Sequence, residues 1–356
     1  MTHFLGDILR QPEELRRTVE LFSSDGKRSL EAATAAIRGA RHVYLTGIGS
    51  SWHAALNAGS IFYQDSRPVY MQGAAELQQY ASFPPDSAVI IISRSGRSIE
   101  IVQLAAKARA SGATVIGITN SPDGPLGREA QIPIIVPVAL DHAISVNTYS
   151  TLAAAAGILA SNVSGSFNTK LAATLSQSII EAGRAIPEWQ KQLEDAKWLK
   201  PGATSYFLAR GSSLGSAHEA RLLWEEGVKS PATAMGSSSF RHGPQEMIAK
   251  DCRLGIWIDG TRMRKEDLAM ARDLSKLGGS AMLIGQNLPD DAGDLVFQLP
   301  AIPSEWQFLM DIIPVQLAAE RLSRLSGVDC DTFRLCSFIV EDDGGLLPEK
   351  TGGGKS

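Results

Sequence analysis

The chain has 356 residues, a formal net charge of -4, 44% hydrophobic and 20% charged residues, and three cysteines. Its length predicts two domains, since a domain usually has about 150 residues, and its weak negative charge without a basic patch argues against nucleic-acid binding. The cysteines, Cys252, Cys330 and Cys336, form no Cys-x-x-Cys pair, so the sequence predicts neither a disulfide framework nor a zinc site, and a reducing cytoplasm fits it.

The first half of the chain predicts an alternation of helices and strands. The N-terminus lacks the apolar core of a signal peptide, and no run approaches the roughly 18 apolar residues of a membrane span, so we expect an untargeted protein without membrane contact. Two amphipathic lead-in helices are predicted at 12–22 and 29–37. Strands follow at 42–46, 68–71, 88–92, 113–119 and 132–138, with helices at 52–63, 74–80, 99–110 and 151–159.

This order predicts a doubly wound parallel sheet, which binds ligands at the carboxyl ends of its strands. The pattern begins again after a long helix at 170–197 and the Pro201-Gly202 boundary. Strands are then predicted at 204–209, 253–258, 280–284 and 294–299, and helices at 217–226, 266–277 and 306–325. Gly/Ser turns at 46–51 and 209–213 hold equivalent places, so we infer an internal duplication of one α/β domain.

We divide the chain accordingly. The predicted parts are a lead-in at 1–40, a first domain at 41–165, a helical linker at 166–201, a second domain at 202–335 and a C-terminal tail at 336–356.

A serine-rich loop follows the third predicted strand. It reads Ser93-Arg94-Ser95-Gly96-Arg97-Ser98 and leads into a helix. Backbone N–H groups at a helix N-terminus favour anions, so three hydroxyls placed there indicate a phosphomonoester site. For this hexapeptide alone, the alternative is a capped helix start with serines facing solvent. The turn at 47–51 would direct its hydroxyls into the same crevice.

Two nucleotide-binding motifs are incomplete. Gly47-Ile48-Gly49 is followed by Trp52 where the dinucleotide fingerprint needs its third glycine. The terminal Gly354-Lys355-Ser356 has Glu349 at the required upstream glycine position, and no helix can follow it. Neither motif therefore supports a nucleotide enzyme.

The second half of the sequence contains a carboxylate and an imidazole that are candidates for proton transfer. Glu226 ends a predicted helix and His242 lies in a turn sixteen residues later. Such a pair is sufficient to move a proton on and off a carbon beside a carbonyl. Taken singly, a solvated surface Glu and a structural loop His are the alternatives.

Together these motifs resemble the tandem SIS, or sugar isomerase, proteins over residues 41–341. The motifs are Gly-x-Gly-Ser-Ser, then Ser-x-Ser-Gly-x-Ser, then Glu226 and Arg-His-Gly-Pro. This family includes the isomerase half of glucosamine-6-phosphate synthase and stand-alone aminosugar-phosphate deaminases and deglycases. The resemblance implies two tandem doubly wound, flavodoxin-like SIS domains of the α/β class with a helical lead-in, and it implies no metal or organic cofactor.

The resemblance also implies roles for particular residues. Glu226 would be the base, and His242 would act in ring opening from a neighbouring subunit, which implies a homodimer with shared active sites. Arg241 would stabilise developing negative charge or form a surface ion pair. The implied phosphate- and sugar-binding residues are Ser50, Ser51, Ser93, Arg94, Ser95, Gly96, Ser98, Thr148 and Ser150.

The chain departs from the family where lysines are expected. Phe338 stands at the place of a C-terminal lysine that meets the sugar carbonyl in the family. Leu223 stands where the family often has a lysine one turn before the base, and Tyr149 stands where it commonly has a lysine in the segment at 145–151. Lys350 would substitute only if the tail folds back. The chain begins with the lead-in helix, so we expect no glutaminase domain and no ammonia from glutamine on this polypeptide.

We therefore expect a cytoplasmic phosphosugar isomerase. It would act on an amino- or amine-linked hexose 6-phosphate by Glu-mediated proton transfer between C1 and C2, in the deaminating or deglycating direction. The alternative is a non-catalytic phosphosugar-binding sensor. SIS regulators usually carry a DNA-binding segment, and this sequence shows none.

Overall fold

The computed structural model describes residues 1–64, 68–342 and 344–346. The strands of these residues form two parallel sheets of five strands each. The first sheet contains β1 (His42–Thr46), β2 (Tyr70–Met71), β3 (Ser87–Ile92), β4 (Thr114–Thr119) and β5 (Ile132–Ile135). The second contains β6 (Ser205–Ala209), β7 (Ala232–Gly236), β8 (Arg253–Trp257), β9 (Ser280–Gly285) and β10 (Leu295–Gln298).

Both sheets have the same strand order. The first runs β2-β1-β3-β4-β5 and the second β7-β6-β8-β9-β10. Each is therefore the 2-1-3-4-5 order of flavodoxin-like folds, with a switch point beside its first strand. The predicted fold class, two tandem doubly wound sheets, is confirmed.

Helices cover both sheets and connect them. In chain order they are α1 (His3–Ser23), α2 (Lys27–Gly39), α3 (Ser50–Gln64), α4 (Ala74–Tyr80), α5 (Ile99–Ala110), α6 (Pro125–Glu129), α7 (Asn147–Ser164), α8 (Thr169–Glu194), α9 (Leu214–Leu223), α10 (Ser237–Phe240), α11 (Arg264–Lys276) and α12 (Ile313–Leu325). No helix in the described residues is both long enough and apolar enough to cross a bilayer.

One continuous core joins the two sheets. Alternate residues of a strand face opposite sides of its sheet, so Ile90 of β3 lies in the shared core whereas Ile91 lies in an outer cluster with α4, α5 and α6. Phe207 and Leu208 of β6 divide in the same way, the latter packing in the outer cluster that includes α11. Helices α1, α3, α7, α8, α9 and α12 fill the space shared by both sheets.

Helix α7 begins earlier than the sequence pattern predicts. The helix predicted at 151–159 begins instead at Asn147, so most of the segment at 145–151 is helical. The Asp141 carboxylate accepts hydrogen bonds from the backbone N–H groups of Val146, Asn147 and Thr148, at 3.0, 3.0 and 2.9 Å. A carboxylate several residues upstream therefore satisfies the free N–H groups of the first turn, and a local capping pattern does not reveal it.

Two elements of the second sheet also differ from prediction. Strand β7 is not predicted by the sequence, since Ala232–Gly236 has a single β-branched residue and forms an edge strand paired with β6. The helix expected at 306–325 is shorter. Residues 304–309 form a 3₁₀ turn, and α12 starts at Ile313 with Pro314 in its first turn, where proline is tolerated.

Close packing of α3 against α9 leads to a stability prediction. A Cβ added at Gly215 in α9 would collide with the side-chain oxygen of Asn57 and the backbone oxygen of His53, both in α3. Gly215→Ala should lower the free energy of unfolding by about 1–3 kcal/mol, measured by urea denaturation. The control is Gly6→Ala in α1, where a Cβ meets nothing within 4 Å, and it should be neutral or slightly stabilising. Equal losses in both variants would contradict this account of the packing.

Candidate functional site

A cavity of about 270 Å³ lies at the carboxyl ends of β1 and β3. It brings the two predicted serine turns together with Glu226 from the second domain. Among the described residues, no group of three or more His, Cys, Asp or Glu side chains is placed to hold a metal ion. The polar and charged residues that line the cavity are Ser50, Ser51, Ser93, Arg94, Ser95, Ser98, Glu100, Ser145, Glu226 and Ser337.

The serine loop is shaped by a glycine in a left-handed conformation. Gly96 has φ of 63°, and a Cβ there would come within 2.9 Å of the Leu126 Cβ. Its N–H donates to Ser93 Oγ at 3.1 Å, which closes the turn. Ser98 occupies the capping position of α5 without a side-chain capping bond. The loop thus presents hydroxyls to the cavity at the start of a helix, the arrangement that suits an anion.

The C-terminal segment at 333–340 forms another wall of the cavity. The Ile99 N–H, at the start of α5, donates to the Val340 carbonyl at 3.0 Å. Arg94 donates from Nη2 to the Phe338 carbonyl at 2.8 Å, and its guanidinium lies 4.0 Å from the centre of the Phe338 ring. Phe338 therefore lines the cavity, although it brings no amine to it.

Glu226 lies in a π-helical turn, Trp224–Val228, that continues α9. Such turns occur often at functional sites. Lys229 ends the turn with φ of 56°, and its Nζ donates to the Thr332 carbonyl at 2.8 Å. Burial raises the pKa of Glu226 to about 7. A carboxylate with this pKa can accept and release a proton near neutral pH.

Glu219 does not line the cavity but contacts Ser50, which does, and sequence reasoning missed it. It is buried, accepts from Ser50 Oγ at 3.0 Å, and lies 2.7 Å from His53 Nδ1. Burial raises the pKa of Glu219 to about 8 and lowers that of His53 to about 3. Glu219 precedes Glu226 by seven residues, which is two helical turns and places both on the same side of the helix. This spacing is the only sequence signal for Glu219, and it does not reveal the contacts of Glu219 with α3.

Other predicted site residues lie outside this cavity in the described chain. Thr148 and Ser150 are buried in α7, where Thr148 Oγ1 donates to Asp141 at 2.6 Å and Ser150 Oγ to the Asn147 carbonyl at 3.4 Å. Arg241 and His242 are exposed after α10, and Arg241 lines a separate cavity beside α11. Gly96 forms the turn of the serine loop but does not line the cavity. Lys350 lies outside the described residues.

Comparison with known proteins confirms the family resemblance. Residues 36–160 match the SIS domain family. The glutamine–fructose-6-phosphate aminotransferase (isomerizing) of Aeropyrum pernix is 27% identical over 92% of this chain and 55% of its own length. The chain thus spans about half the length of the curated relatives it matches.

Solved structures show the same fold. The C-terminal domain of glucosamine-fructose-6-phosphate aminotransferase from Francisella tularensis has a TM-score of 0.81 at 19% identity, covering 92% of this chain and 97% of that one. Glucosamine-6-phosphate deaminase from Thermotoga maritima has a TM-score of 0.79 at 20% identity, covering 95% and 99%.

The buried carboxyl groups predict a pH-dependent stability. Folded Glu219 keeps its proton up to about pH 8, whereas its ordinary pKa is 4.5, so its contribution to stability is present below pH 4.5 and is lost as pH rises through 8. The lowered pKa values of His53 and His218, about 3 and 4, change stability only below about pH 6.5. Between pH 6.5 and 8 the free energy of unfolding should therefore fall, by at most about 1.4 kcal/mol per pH unit for each proton.

Urea denaturation at several pH values in this window checks the sign. Glu219→Gln should flatten the slope, whereas Glu225→Gln, on the same helix, should retain it. A slope that is unchanged in Glu219→Gln would remove Glu219 as its source.

Proposed function

We propose that this chain, whose residues 36–160 match the SIS domain family, is a phosphosugar isomerase acting on an amino- or amine-linked hexose 6-phosphate. The observation that carries this proposal is a single cavity that contains both the serine loop and Glu226. The loop and base come from different halves of the chain. Their shared cavity matches a substrate with a phosphate at one end and a reacting carbon at the other.

The serine side of the cavity would bind the phosphate. Ser93, Ser95 and Ser98 line the cavity at the start of α5, and Ser51 lies across from them after β1. Hydroxyls and a helix N-terminus bind a dianion without a metal or a fixed positive charge. These contacts would hold the sugar so that its C1–C2 end faces Glu226.

Glu226 would carry the proton between the two carbons. Its carboxylate takes the proton from C2, and the C–H electron pair forms a C1–C2 double bond as the carbonyl or imine pair moves onto its heteroatom. The enediol or enolamine then accepts the same proton at C1, while the proton of the C2 hydroxyl or amino group passes to the C1 heteroatom. Water hydrolyses an imine product and so releases ammonia. The pKa of about 7 lets one carboxyl group perform both steps near neutral pH.

His242 and the dimer are a linked part of the proposal. His242 is exposed and does not line the cavity that contains Glu226 of its own chain. We propose that it completes the cavity of a second copy, where it would serve ring opening. A homodimer with two shared sites provides this arrangement.

Deamination or deglycation is the direction we favour. Phe338 and Leu223 stand where lysines were expected, and Phe338 lines the cavity, so an open or amine-linked substrate would need less help at its carbonyl. One fold neighbour is named a glucosamine-6-phosphate deaminase.

We place the protein in the cytoplasm, where phosphosugars occur and where its three free cysteines would stay reduced.

Removal of the proposed base tests the reaction. Glu226→Gln should lower kcat about 1000-fold, because a general base contributes on this order, while a phosphosugar still raises the melting temperature. Ammonia or amine release and C1–C2 isomerisation are measured across hexose 6-phosphates. Glu225→Gln, the adjacent carboxylate, should keep its activity.

Two outcomes would contradict this assignment. Full turnover by Glu226→Gln would remove Glu226 as the base. Stabilisation of the wild-type protein by phosphosugars without any turnover would favour the non-catalytic sensor.

Mixed subunits test the shared site. Glu226→Gln and His242→Ala homodimers should each be inactive, but refolding an equal mixture should restore about a quarter of wild-type activity. Half of the dimers are then mixed, and each has one site with both wild-type residues. Absence of any restored activity, with mixed dimers verified by native mass spectrometry, would show that each chain supplies its own site.

A further inference from the structure

Arg94 is placed differently from the serines beside it in the loop. Its side chain crosses to the opposite wall, where Nη1 donates to Ser145 Oγ at 3.1 Å and Nη2 to the Phe338 carbonyl at 2.8 Å. The guanidinium also stacks on the Phe338 ring at 4.0 Å. These three contacts fix the direction of a long, otherwise flexible side chain.

Arg94 forms no ion pair with a carboxylate among the described residues. Within the described chain its hydrogen-bond acceptors are a hydroxyl and a carbonyl, and no carboxylate lies within ion-pair distance of it. A guanidinium has five N–H donors, so three remain for a ligand in the cavity that Arg94 lines. A half-buried cation whose direct hydrogen-bond partners are neutral can bind an anionic oxygen strongly.

Arg94 is also electrostatically coupled to the proposed base. The positive charge of Arg94 lowers the pKa of Glu226, opposing the rise caused by burial. Burial lowers the pKa of Arg94, and the negative charges of Asp141 and then Glu226 oppose this decrease. Both side chains line the same cavity of about 270 Å³. Arg94 therefore extends from the phosphate loop to the neighbourhood of the reacting carbons.

Lys229, Arg97 and Arg241 do not line the cavity. Lys229 Nζ donates to the backbone carbonyls of Glu226 and Thr332. Arg97, in the same loop, is exposed, and Arg241 lines a separate cavity. Among the described residues that line the serine cavity, Arg94 is the one lysine or arginine.

We propose that Arg94 is a catalytic residue that stabilises the negative oxygen formed during proton transfer, in place of the lysines expected at Leu223 and Phe338. This inference rests on the proposed isomerase function. As Glu226 takes the C2 proton, the C–H electron pair becomes the C1–C2 double bond and the carbonyl pair moves onto the C1 oxygen. The free N–H donors of Arg94 bind that oxygen until it receives the proton of the C2 hydroxyl or amino group, as the carbonyl or imine forms at C2 and C1 receives the proton from Glu226.

Steady-state kinetics of Arg94→Gln distinguish this role from phosphate binding. Loss of a donor to a developing oxyanion lowers kcat about 100-fold or more with little change in KM. The acid limb of the pH profile should also move to higher pH, because the pKa of Glu226 rises without its neighbouring cation. Arg97→Gln is the matched control in the same loop and should retain wild-type kcat, KM and pH profile.

Two further measurements keep the test independent of folding. Arg94→Ala should regain activity when guanidinium is added at millimolar concentration. Phe338→Ala, which removes the stacked ring but keeps the backbone carbonyl, should lower kcat by a smaller factor than Arg94→Gln.

The outcomes separate this inference from the function on which it rests. If wild type turns over and Glu226→Gln does not, but Arg94→Gln raises only KM, then Arg94 merely holds the phosphate and the inference is overturned. A wild-type protein without turnover on any hexose 6-phosphate would overturn the proposed function, and this role of Arg94 with it.

Discussion

The contact of Glu219 with α3 joins the two halves of the site. Glu219, on α9, accepts from Ser50 and lies against the imidazole of His53, and both partners belong to the first helix after β1. A buried carboxyl group without partners would be costly, so these contacts favour one relative placement of α3 and α9. Because Glu226 follows two turns later on the same helix, this contact also sets the position of the proposed base relative to the serine loop.

Burial of the charged side chains that line the cavity shifts their pKa values. Removal of water raises the pKa of Glu226 and lowers that of Arg94, since each charged form loses hydration. The C-terminal segment contributes to this environment by closing one wall and by holding Arg94 through the Phe338 carbonyl. In such surroundings a single fixed cation has a larger effect on a nearby developing charge than it would have in water.

The duplicated domains use their equivalent turns differently. In the first, Ser50 and Ser51 of the turn after β1 line the cavity. In the second, Ser213 Oγ donates to the Asp311 carboxylate at 2.6 Å and Ser212 Oγ to the Ser304 carbonyl at 3.1 Å. The second turn thus uses these hydroxyls to hold its own domain together. One topology therefore forms a cavity wall in one half and a hydrogen-bonded structural network in the other.

The sequence by itself determined the doubly wound α/β class, the strands of both sheets except β7, the serine loop and the spacing of Glu226 from His242, because periodicity and turn residues are local signals. Tertiary structure decided the rest. The partners of Glu219, the direction of Arg94 and the early start of α7 at Asp141 depend on contacts between residues distant in sequence or outside any capping pattern. Thr148 and Ser150 matched a pattern of hydroxyls, yet helix packing buried them away from the cavity. Burial sets both the position and the protonation of a side chain, and burial is a property of the folded chain.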